Sequence, residues 1–157
     1  MASSFNRVFF LLLLLACSAP LARAQRERLT PEEIEYVDKT WPGTKKTSTG
    51  IRYIIQRPGD GPSPKPGDQV GVLYTGTLLH GEKFDEQLDP AKPLMIRVAR
   101  DEVIAGWDQV LQLMKLHEKR LVIIPGSLGY GSRGRAPAIP RDATLVFVME
   151  LVSIKSN

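Results

Sequence analysis

A glycine-rich hexapeptide is the first stretch of this chain with the residue types for ligand chemistry. GYGSRG spans residues 129–134 and matches the G-x-G-x-x-G pattern that holds the pyrophosphate of a dinucleotide. That pattern needs a helix after its third glycine, whereas Pro137 and Pro140 follow here and are incompatible with a helix interior. We therefore expect no nucleotide cofactor, and a different reason for the glycines.

Metal and covalent chemistry have little support in the sequence. His80 and His117 are far apart, and neither has a ligand partner at the spacing of a zinc site. The only cysteine is Cys17, near the N-terminus, and no Gly-x-Ser-x-Gly elbow is present. The net charge of +4 comes without a clustered basic stretch, so nucleic-acid binding is not expected either. We expect neither a metal nor a cofactor.

Aromatic residues are the remaining candidates. Tyr74, Phe84, Trp107, Tyr130 and Phe147 each fall in a different segment, and any one of them could be an ordinary core residue. However, we expect Phe84 and Tyr130 on loops, because Phe84 is followed by an acid and Tyr130 is flanked by glycines. Loop side chains serve binding more often than packing. The pattern favours an aromatic binding site.

The first 24 residues have the features of a secretory signal peptide. A basic Arg7 precedes nine apolar residues at 8–16, and the small-residue pattern Ala-Arg-Ala follows at 22–24. The apolar run is too short for a membrane span. Cleavage after Ala24 therefore predicts export, to the periplasm or cell envelope in a bacterium. The alternative is lipidation at Cys17, since 14–17 resemble a lipobox; a membrane anchor is expected only in that case.

Residues 25–47 read as a lead-in segment with one short helix. Thr30 and Glu33 form the capping-box pattern Thr-x-x-Glu, and Ile34 and Val37 lie three residues apart on one face. The segment has too few apolar residues for a core of its own. One hypothesis is that this helix mediates association with a partner.

Residues 48–157 predict an α+β domain. Alternating or β-branched apolar residues at 51–56, 69–79, 94–98 and 121–124 indicate strands, and the apolar run at 144–154 indicates a strand buried on both faces. The turn-rich connections favour an antiparallel sheet of about five strands.

One core helix is expected beside this sheet. Val103, Trp107, Val110 and Met114 have helical spacing, and Gly106 inside it implies a packing or binding requirement, because glycine costs a helix about 1 kcal/mol relative to alanine.

Three ordered groups of motifs resemble the FKBP-type peptidyl-prolyl cis-trans isomerases. They are YTG with KFD at 74–85, VIAGW at 103–107, and YG, IP and TLVF at 130–147, and the likeness extends from Thr49 to Ile154. The resemblance implies an antiparallel sheet half-wrapped around one short helix, with an apolar pocket between them.

The resemblance also implies the site residues and the activity. Trp107 would form the pocket floor, Asp85 would lie at the rim, and Tyr130 would donate its hydroxyl. The catalytic set would be Asp85, Tyr130, Phe84 and Phe147, and the substrate-binding set would be Tyr74, Val103, Ile104, Trp107 and Ile139. The Ile104 N–H would donate to a substrate or macrolide carbonyl. The implied activity is isomerisation of X-Pro bonds in exported polypeptide clients.

Three positions depart from the best-known members of the family. Leu94 and Ile96 replace phenylalanines, and Arg135 replaces a common histidine. These changes would thin the aromatic lining and add a cation near the rim, and they bear on macrolide affinity and peptide preference. They also leave an alternative function open, a non-catalytic module that binds proline peptides or acts as a chaperone on the same fold.

Overall fold

The computed structural model describes residues 29–156. The predicted signal peptide, the lipidation at Cys17 and the start of the lead-in lie outside the described residues.

Seven strands form one antiparallel sheet in the order β1-β2-β6-β7-β3-β4, and β5 pairs with the half of β3 that β4 leaves free. The predicted α+β class and antiparallel sheet are confirmed, with more than the five or so strands expected. The additional ones are the two-residue edge strand β1 and the short strand β4. The strands are β1 Lys45–Lys46, β2 Arg52–Arg57, β3 Gln69–Leu78, β4 Lys83–Gln87, β5 Leu94–Arg97, β6 Lys119–Ile124 and β7 Leu145–Lys155.

The inner face of the sheet packs against the helix α2, Ala105–Leu111, which is shorter than the spacing predicted. Val103 precedes it, and Met114 follows in a tight turn whose N–H groups donate back to the carbonyls of Val110 and Leu111. The turn keeps Met114 fully buried. Helical spacing therefore marks the core-facing residues correctly, although only the middle of the segment is α-helix.

Gly106 is required by packing inside α2. A Cβ at this position would lie 2.5 Å from Cγ2 of Ile124 on β6. Any larger residue would push the helix off the sheet, which accounts for a glycine where helix propensity disfavours one.

The lead-in helix is α1, Pro31–Thr40, with the predicted capping box between Thr30 and Glu33. Its Val37 is fully buried in a second apolar cluster with Leu121, Ile123 and Val146. These residues alternate along β6 and β7 with those that face α2. The two helices therefore cover opposite faces of the sheet, and the last strand is buried on both faces, as its sequence predicted.

Candidate active site

A cavity of about 140 Å³ opens between α2 and the inner face of the sheet. Strands β3, β4, β5 and β7 supply one wall, and the segment before α2 and the glycine loop supply the rest. Its lining residues are Tyr74, Phe84, Asp85, Leu94, Glu102, Val103, Ile104, Trp107, Tyr130 and Phe147.

The floor of this pocket is Trp107, whose side chain is buried at the start of α2. The rings of Tyr74 and Phe147 meet its indole edge-to-face, with centroids 4.9 and 5.3 Å away. Phe84 meets Phe147 in the same way at 5.6 Å. Such contacts are favourable beyond the area they bury. Within residues 29–156 the buried Nε1 of Trp107 has no hydrogen-bond partner.

Gly76 on β3 makes room for this aromatic wall. A Cβ there would lie 2.8 Å from ring atoms of both Phe84 and Phe147. The two rings lie directly over the strand backbone because the residue beneath them has no side chain.

Tyr74 and Asp85 form a polar pair at the rim. Residues Gly76 and Asp85 are opposite one another in the β3–β4 register, and the Tyr74 hydroxyl donates to Oδ2 of Asp85 over 3.0 Å. Burial, and then the hydrogen bond to the Asp85 carboxylate, together raise the pKa of Tyr74 to about 12. The phenol therefore stays protonated and keeps Asp85 fixed at neutral pH.

The glycine loop presents Tyr130 to the pocket. Gly131 and Gly134 have φ values of +53° and +62°, a region that favours glycine. A Cβ at Gly134 would lie 2.6 Å from the carbonyl oxygen of Ile139. The glycines of GYGSRG thus serve a tight loop rather than a phosphate site.

Arg135 follows this loop and approaches the rim from the other side. Its Nη1 lies 3.5 Å from the Tyr130 hydroxyl and 3.6 Å from Oδ2 of Asp85. The contact with Tyr130, and then the Asp85 carboxylate, raise the pKa of Arg135 above its ordinary value. A permanent cation therefore stands beside the pocket mouth.

Ile104 is the N-cap of α2, and its carbonyl accepts the N–H of Trp107 over 2.9 Å. Its own N–H finds no protein acceptor in the part of the chain that the structure describes. Since Ile104 lines the pocket, this donor remains available to a bound carbonyl group.

All but one of the predicted site residues line this pocket; the exception is Ile139, which is buried in the adjoining core. Phe84 lies on strand β4, so the expectation that it belongs to a loop was wrong. Glu102 lines the mouth and was not predicted, because nothing in its own spacing distinguishes it. Of the three departures, Leu94 lines the pocket, whereas Ile96 is a core residue.

Residues 29–156 contain no helix that is long and apolar enough to cross a membrane. The same residues contain no group of three or more side chains that could hold a metal ion.

The structure is an antiparallel sheet over one short helix, with an aromatic pocket between them. This is the fold that the resemblance to prolyl isomerases implied. The sequence model of the FKBP-type peptidyl-prolyl cis-trans isomerases matches residues 61–152. The chain belongs to this family and is an isomerase of this type.

Known proteins agree with this assignment. FK506-binding protein 1 of Kluyveromyces lactis is 45% identical over 105 residues, which are 66% of this chain and 92% of that protein. FK506-binding protein 4 of Dictyostelium discoideum is 46% identical over 105 residues, but the match spans only 28% of its length. The crystal structure of FkpA from Escherichia coli is 40% identical, with a TM-score of 0.70, over 79% of this chain and 58% of that one.

Proposed function

We propose that the Trp107 pocket is the active site and that it isomerises X-Pro bonds of polypeptide clients. The observation that carries this proposal is the cavity lined by the rings of Tyr74, Phe84, Trp107 and Phe147, with the polar side chains of Asp85 and Tyr130 beside them. Trp107, Tyr74, Val103 and Ile104 bind the proline and its neighbours. Ile139 supports them from the core.

The physical chemistry of the reaction suits this site. The C–N bond of a peptide has partial double-bond character, and rotation about it has a barrier of about 18–20 kcal/mol. The planar amide is stabilised by charge separation, which water solvates well and an aromatic pocket solvates poorly. Transfer into the pocket therefore favours the twisted amide relative to the planar one, which is differential binding of the transition state.

The polar groups act on the carbonyls of the bound peptide. The Ile104 N–H and the Tyr130 hydroxyl donate hydrogen bonds to them, and the rings of Phe84 and Phe147 enclose the rotating amide. Asp85 accepts the Tyr74 hydroxyl and fixes that side chain at the rim of the pocket. Each of these groups is in place before the substrate arrives, so little reorganisation is needed.

The test is the double variant Asp85→Val with Tyr130→Phe. We expect kcat/KM for a proline peptide to fall at least about tenfold, equivalent to about 1.4 kcal/mol of transition-state stabilisation. The matched control is Asp38→Val with Tyr36→Phe, which makes the same chemical changes on α1, on the opposite face of the sheet. A full rate in the Asp85 and Tyr130 variant would show that the assigned site is wrong.

The non-catalytic alternative rests on the three departures from the family pattern. Only Leu94 and Arg135 of the three departures lie at the pocket, and neither removes a polar group from it. Binding of proline peptides without acceleration of cis-trans exchange would favour this alternative.

Binding of a macrolide at the same pocket is a further part of the proposal. Relatives in several organisms are named FK506-binding proteins. The unpaired Ile104 N–H and the Trp107 floor offer a donor and an apolar surface for such a ligand. Competition between FK506 and a proline peptide would measure it.

We also propose that the chain is exported, with residues 25–47 as a lead-in and 48–157 as the isomerase domain. The support is the basic, apolar and Ala-x-Ala pattern of residues 1–24. Mass spectrometry of the mature N-terminus distinguishes Gln25 from a lipidated Cys17, and the clients would then be other exported chains.

A further inference from the structure

The mouth of the pocket carries one cation that the isomerase reaction itself does not use. Arg135 is 56% exposed at its side chain, and Asp85 opposite it is 38% exposed. The Arg135 contacts at 3.5 and 3.6 Å both involve Nη1 and are long for charged hydrogen bonds. Nε and Nη2 have no hydrogen-bond partner among residues 29–156.

The backbone under Arg135 is fixed, so the position of this cation is defined. Its N–H donates to the carbonyl of Ile139 over 2.8 Å, and the N–H of Ile139 donates back over 2.9 Å. Ile139 is itself buried in the core. Only the guanidinium end is free to adjust to a ligand.

The two carboxylates at the mouth are already engaged. Asp85 accepts from Tyr74 and faces Arg135, and Oε2 of Glu102 accepts the backbone N–H of Arg97 over 2.8 Å. Neither carboxylate contacts more than one nitrogen of the Arg135 guanidinium. A carboxylate arriving with the peptide therefore finds parallel donors on Arg135, the geometry that guanidinium groups bind best.

We propose that Arg135 is a specificity-determining residue that selects clients with an acidic side chain next to the proline. The inference rests on the proposed function, since it concerns the substrate of that same pocket. The chemical class it names is a Glu-Pro or Pro-Glu segment of a polypeptide, with the proline in the aromatic cavity and the carboxylate on Arg135.

The experiment uses two sets of peptides, with Glu, Gln or Lys either before or after the proline. In one of the two sets, we expect the wild-type protein to have a kcat/KM about two- to fivefold higher for the Glu peptide than for the Gln peptide. A partly exposed ion pair contributes an effect of this size. The preference should appear mainly in KM and should approach unity in about 1 M salt, where charges are screened within roughly 3 Å. Lys in place of Glu should be the poorest substrate of that set.

The variants separate a local contact from a general field. Arg135→Gln should remove the Glu preference, and Arg135→Lys should retain a smaller one, because an ammonium lacks the planar fork. The matched control is Arg141→Gln, another exposed arginine on the same connection, which should keep the full preference.

Three outcomes would overturn the inference: equal rates for Glu and Gln in both sets, a preference for Lys, or the same loss in Arg141→Gln. If the Gln peptides are accelerated without a Glu preference, only this inference fails. If no peptide is accelerated at all, the proposed function fails as well.

Discussion

The Tyr74 and Asp85 pair shows how single residues set the properties of the site. Tyr74 lies on β3 and Asp85 on β4, and their contact joins an aromatic wall to the polar rim. Burial and the neighbouring carboxylate both oppose ionisation of the phenol, which is why its pKa rises to about 12. The site therefore keeps one hydrogen-bond geometry throughout the physiological pH range.

This pair gives a prediction that absorbance titration can check. One tyrosine should ionise at a pKa of about 12, and Asp85→Asn should lower that pKa but leave it above the ordinary 10.0, because burial is the larger cause. Tyr74→Phe identifies the signal by removing it. A wild-type protein in which every tyrosine ionises near the ordinary value would contradict the assigned environment.

The same shift determines how stability depends on pH. The folded protein holds the Tyr74 proton more tightly than the unfolded chain, so the stabilising contribution is complete below a pH of about 10 and is lost as the pH rises to about 12. Tyr74→Phe should lack this loss when unfolding is measured across that interval.

At this scale the resemblance to a family predicted the pocket residues better than any spacing could. Trp107, Tyr130 and Tyr74 are far apart in sequence, so only a known arrangement brings them together. Both Arg135 and Asp85 were expected near the rim, but their direct contact could not be predicted, because it joins two segments whose distance depends on the fold. Glu102 was missed for the same reason.

Among the elements, β3 connects the fold to the site. Tyr74 and Gly76 lie on the same face of this strand, two residues apart, while Thr75 between them points to the other face. On the inner face, the missing side chain of Gly76 gives the rings of Phe84 and Phe147 their position.

Gly76→Ala should therefore damage stability and activity together. The added methyl group would need the space of two aromatic rings, and such overpacking costs about 1–3 kcal/mol. We expect a lower free energy of unfolding in denaturant and a lower kcat/KM in the folded protein.

Thr75→Ala is the control on the same strand, and it should leave kcat/KM unchanged. If Gly76→Ala proved as active and stable as the wild type, Phe84 and Phe147 would have more freedom than the structure shows.

The elements were predicted from periodicity where one face is apolar. Strands β3 and β5 and the core of α2 follow that rule, whereas β2, β6 and β7 were predicted from runs of β-branched or other apolar residues. Strand β4 escaped it, because KFDEQ has a single apolar residue and owes its extended form to pairing with β3. Local sequence cannot reveal a strand that is stabilised mainly by its neighbour.

The whole molecule is a sheet covered by a helix on each face, and only one of the two faces carries the pocket. The inner face and α2 form the pocket, while α1 covers the outer face through Val37, together with Leu29 just before the helix. Composition alone indicated that the lead-in could not fold by itself. It did not indicate that the sheet would offer this helix a complementary apolar surface.

Val37→Ala should separate stability from catalysis. Removing two buried methyl groups leaves a cavity under α1, and we expect the free energy of unfolding to fall by about 1–3 kcal/mol. Because α1 and the pocket lie on opposite faces, kcat/KM of the folded protein should not change.

Glu35→Ala, on the exposed side of α1, should affect neither quantity. A changed kcat/KM in Val37→Ala would mean that the two faces of the sheet are coupled.

The position of α1 determines where this domain can be attached to a support without blocking the pocket. The described chain enters through Leu29, in the cluster on the outer face, and the pocket opens on the other side of the sheet. A surface, a carrier domain or an affinity tag joined ahead of Leu29 would thus be attached on the face opposite the pocket. The enzyme can be tethered at that end while its pocket stays accessible to long, unfolded polypeptides.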